Sequence, residues 1–237
     1  MHLNMSIHCR VLLYTFLLVW LFTGCEQSTP EVLVDIPDGA FLGALIAQGV
    51  DENGDGQISV PEAEATRSLR IPPSGITDLT GMEAFIHLDS FSITLNPLAA
   101  IDVSDNTSLS YLECTSCEIT DLDLSQNLSL ETLICGRNML ENLDLSSNSS
   151  LSKLVCNNNL FTSLDLSNNT ELTTMISCGN LLTSLDISQH SILTKIGFDN
   201  MPMLTEVCVW ILPFPPPGVI LLRDYSPNVI YTTSCSK

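Results

Sequence analysis

Positive charge is scarce in this chain: eight Lys and Arg stand against 27 Asp and Glu over 237 residues, a formal net charge of −19. Only Arg10 precedes Cys25, so the other seven cations share the rest of the chain with all 27 acids. Such a surface repels a phosphate backbone, which argues against nucleic acid as a partner. Histidine is nearly as sparse. Of four, only His87 and His190 follow Cys25, and the chain has no G-x-S-x-G, H-E-x-x-H or P-loop pattern. The sequence therefore predicts that the protein is not an enzyme. Long apolar runs are also missing: the longest, residues 11–22, has twelve residues where a membrane span needs about 18 or more. The hydrophobic share of 45% is nevertheless enough for a buried core.

The short run, VLLYTFLLVWLF, suits a secretory signal. It leads into FTGC, residues 22–25, which resembles a bacterial lipobox, with Phe22 where leucine is more usual. That resemblance implies that Cys25 becomes the lipidated first residue. Its acyl chains would hold the protein to a membrane at about 0.8 kcal/mol per buried CH₂. Everything beyond the tether, residues 26–39, is then expected outside the cytoplasm, at an outer membrane or cell surface.

Residues 51–62, DENGDGQISVPE, have the ligand spacing of a calcium loop. A hard cation takes six to eight oxygens from positions 1, 3, 5, 7, 9 and 12 of such a loop. These are Asp51, Asn53, Asp55, Gln57 through its carbonyl, Ser59 and Glu62, and Gly56 makes the sharp turn. The i, i+4 pairs Phe41/Leu45 and Leu42/Ile46 predict a helix before the loop. Ser59 and Glu62 have capping-box spacing, and Pro61 lies near the first helical position, before a second helix through EAEATRSLR. The expected unit is a single EF-hand over residues 40–70 binding Ca²⁺. Hands of this type usually pair through the eighth loop residue, here Ile58, yet the sequence holds no second loop, so Ile58 must bury itself elsewhere.

From Leu88 onward the chain repeats with a fixed period: Leu88, Leu109, Leu130, Leu151, Leu172 and Leu193 keep one register, each number 21 above the last. Each unit nests a shorter pattern twice, as in Leu130, Leu133, Cys135, Asn138 and then Leu140, Leu143, Leu145, Asn148. Period-2 segments such as TLIC and NLDLS leave little room for a helix, so both sides of each turn are expected to be strand-like, stacked about 4.8 Å apart. The unit LxxLxCxxNxLxxLDLSxN resembles the bacterial leucine-rich repeats, in particular the 21-residue nested IRREKO type. The flanking segments, residues 75–85 and 207–235, resemble those of Bacteroidetes-type lipoproteins and secreted proteins. The resemblance implies right-handed coils and a binding or adhesion role, and supplies no catalytic residue. The expected fold is a β-rich right-handed solenoid with a small helical hand at its N-terminus and a C-terminal cap. Its divisions are a signal at 1–25, the tether, the hand, a lead-in at 71–87, about five and a half turns at 88–206 and a cap at 207–237.

Stacking turns every repeated residue into a column. Asn96, Asn138, Asn159 and Asn180 form one, interrupted by Cys117; Asn106, Asn127, Asn148 and Asn169 form another, ending at His190. Both are expected to bond the backbone of neighbouring turns. Asp102, Asp123, Asp144, Asp165 and Asp186 should face outward about 5 Å apart, where like charges repel by about 0.8 kcal/mol even in bulk water. Hydrogen bonds from nearby Ser or backbone N–H groups, bound cations, or raised pKa values would each relieve this. Cys114, Cys135 and Cys156 stack as small apolar residues, while Cys208 and Cys235 bracket the non-repetitive tail and would close it as a disulfide in an oxidising compartment.

The functional expectation is a monomeric surface protein that binds another protein or a glycan on an exposed face containing Glu113, Thr132, Lys153 and Thr174. The hand would clamp a polar cover over the apolar end of the solenoid. Two alternatives are a calcium-dependent, dockerin-like assembly module and a self-associating coat protein.

Overall fold

The computed structural model describes residues 31–223 and 229–235. The signal, Cys25 and the first tether residues therefore lie outside the described residues.

Each coil contributes one short strand to a single parallel ladder. In chain order these are β1 (Ser68–Ile71), β2 (Ser90–Ile93), β3 (Tyr111–Glu113), β4 (Thr132–Ile134), β5 (Lys153–Val155) and β6 (Thr174–Ile176). After β7 (Ser184–Asp186) the ladder resumes with β8 (Lys195–Gly197); β9 (Glu206–Cys208) intervenes before β10 (Ile220–Leu222). The order is β1-β2-β3-β4-β5-β6-β8-β10. The second residue of each strand points inward, so Leu69, Phe91, Leu112, Leu133, Leu154, Met175 and Ile196 are buried in one continuous core. Tyr111, Thr132, Lys153, Thr174 and Lys195 stand in register, each one full repeat from the next.

The ladder is longer than the repeat. β1 straddles the boundary expected between the hand and the lead-in, and β10 lies inside the span expected for the C-terminal cap. Both pair in parallel with their neighbours, but off the period: the pair Ser68↔Ser90 is one residue wider than a repeat, and Lys195↔Ile220 is four wider.

Pairing on the opposite side is uneven. β7, β9 and β11 (Ile230–Thr232) form a three-stranded parallel ladder there, and Ala100 and Asp121 form an isolated bridge. In the turns between, asparagine side chains take over the bonding. The carbonyl of Leu124 accepts from Asn127 N at 3.1 Å and from Asn148 Nδ2 at 3.1 Å; that of Leu145 accepts from Asn148 N at 3.0 Å and Asn169 Nδ2 at 3.0 Å. With both lone pairs engaged, these carbonyls have nothing left for a strand ladder.

At the N-terminal end, α1 (Gly39–Ala47) and α2 (Val60–Ala65) flank the loop. The second helix stops at Ala65 because Thr66 is already extended and the chain enters β1, so SLR of EAEATRSLR is strand where the helical reading placed helix. α1 lies against β1, and α2 against the 3₁₀ turn Met82–Ala84. Phe41, Leu45, Ile58 and Ala63 thus join the core of the solenoid. Leu88 and Phe91, the apolar end that the hand is expected to cover, are covered first by the turn that begins with β1, where Leu69 pairs with Phe91.

Candidate functional site

The calcium-type loop is built from its own backbone bonds. Asp51 Oδ1 accepts from Gly54 N at 2.7 Å and Asp55 N at 3.2 Å, and its Oδ2 from Gly56 N at 2.9 Å. Asn53 Oδ1 accepts from Asp55 N at 2.8 Å, and Asp55 Oδ1 from Gln57 N at 2.9 Å. Gly54 and Gly56 have φ of +75° and +83°, conformations that a side chain would strain. Glu62, buried, closes the circuit: Oε1 accepts from Glu52 N and Asn53 N at 2.8 and 3.2 Å, Oε2 from Ser59 N and Oγ at 2.8 and 2.9 Å. Burial pushes its pKa up, but these four bonds outweigh it and hold the carboxyl below its ordinary value. The donor set of three carboxylates, an amide, a hydroxyl and the Gln57 carbonyl suits a hard divalent cation. The carboxylates of Asp51, Asp55 and Glu62 are not all within 4.8 Å of one another. Among the described residues the one acid, cysteine or histidine trio that close is Asp186, Cys208 and Cys235. Its two sulfurs are joined to each other and so cannot serve as metal ligands.

Two anchors that sequence reasoning missed position this loop. Residues 32–34 form an antiparallel bridge with it: Val34 N donates to Ile58 O and Val60 N to Val32 O, both at 2.8 Å. Part of the tether is thus folded onto the hand. Asp38 caps α1 through Oδ1, accepting from Ala40 N and Phe41 N at 2.8 and 3.0 Å, while Oδ2 accepts from Thr77 N and Asp78 N at 2.9 and 3.2 Å. One carboxylate therefore ties the helix to the lead-in; burial raises its pKa, and the bonds from Thr77, Phe41, Ala40 and Asp78 lower it further than burial raises it.

The outward face of the ladder differs from the expected face by one column. Thr132, Lys153 and Thr174 share a register, but the β3 residue in it is Tyr111, preceded by Ser68 and Ser90. Glu113 pairs with Ile134 and not with Thr132, so it belongs to the neighbouring column with Ser92, Ile134, Val155, Ile176 and Gly197. Arg70 precedes Ser92 in that column. Glu113 Oε2 accepts from Ser92 Oγ at 2.9 Å and Tyr111 Oη at 3.1 Å. Burial, and then this bond, raise the Tyr111 pKa. A cleft of about 500 Å³ between α1 and the start of the ladder is lined by Gln48, Arg70, Ser92 and Glu113 among others.

On the other side, every carboxylate of the acidic column is exposed, and each Oδ1 accepts from the backbone N of the serine two residues on, at 2.8–3.0 Å. These local bonds hold Asp102, Asp123, Asp144 and Asp165 below their ordinary pKa, the reverse of the raised values that repulsion alone predicts. The serine of LDLS is the signal for this.

The columns inside carry no reactive group. Cys114, Cys135 and Cys156 are fully buried, and burial pushes the Cys135 thiol up to about 12 and its neighbours upward too. Cys117 replaces an asparagine and makes the same bond: its Sγ reaches Ile93 O, one turn back, as Asn138 Nδ2 reaches Cys114 O. His190 is buried with Nε2 3.1 Å from Leu166 O, and burial lowers its pKa. At the far end Cys208 and Cys235 are disulfide-bonded beside an aromatic group that the sequence pattern had not revealed: Phe214 lies 5.3 Å from Trp210 and 5.1 Å from Tyr231.

No protein-family model and no curated protein matches the sequence. Solved structures do. An internalin C2 from Listeria monocytogenes has a TM-score of 0.52 at 19% identity, covering 83% of this chain and 94% of its own. A leucine-rich-repeat protein from Leptospira interrogans has a TM-score of 0.50 at 14% identity, covering 69% and 51%. A functional domain of InlJ from Listeria monocytogenes is 24% identical over 73% of this chain and 55% of that one, at a TM-score of 0.38. The chain spans about half the length of these last two. The fold is that of the leucine-rich-repeat solenoids.

Proposed function

We propose that the protein is a lipid-anchored, extracytoplasmic binding protein that presents the outward face of its ladder to a protein or glycan ligand, with a structural Ca²⁺ in the loop of residues 51–62. One observation carries the reading: the inward strand positions stay apolar from turn to turn, while the outward columns change character. Buried positions hold Leu112, Leu133, Leu154, Met175 and Ile196, all apolar, whereas the positions beside them run Tyr111, Thr132, Lys153, Thr174, Lys195 and Glu113, Ile134, Val155, Ile176. Packing does not dictate those outward residues, so a ligand is the natural source of their variety. Binding is favoured over catalysis because the Asp residues of the column share one environment, leaving no pair split into acid and base.

The loop's donor chemistry supports calcium, and Asp51, Asn53, Asp55, Gln57, Ser59 and Glu62 are the residues that would hold it. The assembly-module alternative is disfavoured because residues 32–34 already occupy the loop edge that a second hand would pair with. The test is a pull-down and glycan array with the chain from Glu26, with and without EDTA. A ligand lost on Lys153→Glu or Tyr111→Ala supports the reading. An EDTA-sensitive complex of the chain with itself, unaffected by those substitutions, overturns it in favour of assembly.

A further inference from the structure

The lone loop has a partner within its own chain, and we infer that residues 32–34 serve as the missing second half of the calcium site, so that ion binding and docking of this strand reinforce each other. The inference rests on the calcium reading above and adds which residues outside the loop set its affinity.

A connected series of bonds carries it. The strand's two backbone bonds, Val34 N to Ile58 O and Val60 N to Val32 O, fix residues 58–60. Leu33 faces Ser59, the ninth loop position, across the bridge. Ser59 in turn donates both N and Oγ to Glu62 Oε2. Through Oε1, Glu62 holds Glu52 N and Asn53 N at the start of the loop. Positions 2, 3, 9 and 12 are therefore set in one chain of contacts that begins at residue 32.

Side-chain burial adds a partial hold, concentrated at Val34. Val32 and Leu33 are 71% and 45% exposed, so their burial contributes little. Val34 and Ile36 are partly buried against the core, and the chain passes close to Gly81, where an added Cβ would meet Ile36 Cγ1 at 2.7 Å and Asp35 O at 2.9 Å. A segment docked by two backbone bonds and the partial burial of one side chain responds to the rigidity of the loop it pairs with. By linkage, whatever its docking adds to ion affinity, the ion returns to its docking.

The test uses the full chain with calcium alone. Hydrogen exchange of the Val34 and Val60 amides is expected to slow about tenfold or more at saturating calcium. Val34→Pro removes the donor and is expected to weaken calcium binding about fivefold, the scale of one or two net backbone bonds, measured by titration calorimetry. Val34→Ala keeps the donor and should stay within about twofold. Equal affinity of wild type and Val34→Pro, with exchange of both amides indifferent to calcium, overturns the pairing and leaves the calcium reading standing. A wild type that binds no calcium overturns both. If Val34→Pro fails to fold by circular dichroism, the wild-type exchange measurement decides by itself.

Discussion

The two ends of this solenoid are closed by different chemistry. The N-terminal end is covered by a helical unit held with carboxylates: Asp38 ties α1 to the lead-in, and Glu62 ties the loop to the head of α2. The C-terminal end is covered by an aromatic cluster and one covalent bond, Cys208 to Cys235. The first closure depends on ionised groups and thus on pH. The second depends on the redox state of its surroundings. Neither end resembles the middle, where near-identical turns close on one another and need no special device.

Breaking the covalent end should have the largest effect. Cys208→Ala releases a bridge between positions 27 apart in the chain, an entropic loss of about 3 kcal/mol. Chemical unfolding followed by Trp210 fluorescence checks it, and a change under about 1 kcal/mol would show that the aromatic cluster alone closes this end. Glu62→Ala comes next, at about 2 kcal/mol for a buried group with four bonds. It should also abolish any rise in melting temperature on adding calcium. Asp38→Ala removes a helix cap and a tie to the lead-in and is expected to cost about 1.5 kcal/mol, with exchange rising at residues 39–47 and not at β9.

Acid should separate the ends more gently. The unfolded carboxyls titrate near 3.8 for Asp and 4.5 for Glu, and the folded pKa of Asp38 and of Glu62 lies lower. Their contribution is therefore complete above about pH 4.5 and is lost as pH falls through the folded values. Hydrogen exchange at about pH 3 is expected to accelerate in α1 and the loop, while Trp210 keeps its native emission. Asp102, Asp123, Asp144 and Asp165 are depressed likewise, so the comparison is made between wild type and Asp38→Asn, whose acid sensitivity should be smaller. The smallest effect belongs to the middle: Cys117→Asn restores the asparagine column and should change stability by less than about 1 kcal/mol, because the thiol already reaches the same carbonyl.

The contrast also explains what was legible beforehand. The repeat period marked out the central turns and every buried column, since one register error would have turned each leucine outward. It stopped short at β1 and β10, whose pairings are one and four positions wider than the period. The face was visible and its phase was not: Glu113 was grouped by exposure, whereas register requires Tyr111. The fate of the acidic column was readable from the serine of LDLS, given that short side chains bond their own backbone two residues on. The bridge of residues 32–34 left no trace, since so short a stretch between Pro30 and Pro37 cannot show a period.

Within the middle, almost every side-chain bond between turns spans a fixed interval. Asn127 reaches carbonyls 21 and 24 positions back, and Asn148 and Asn169 do the same. Loss or duplication of one whole repeat would join like to like and preserve each of these intervals. Rod length is thus a variable that unequal recombination could change in steps of about 4.8 Å, leaving both closures untouched and placing a new pair of outward residues within reach of whatever binds there.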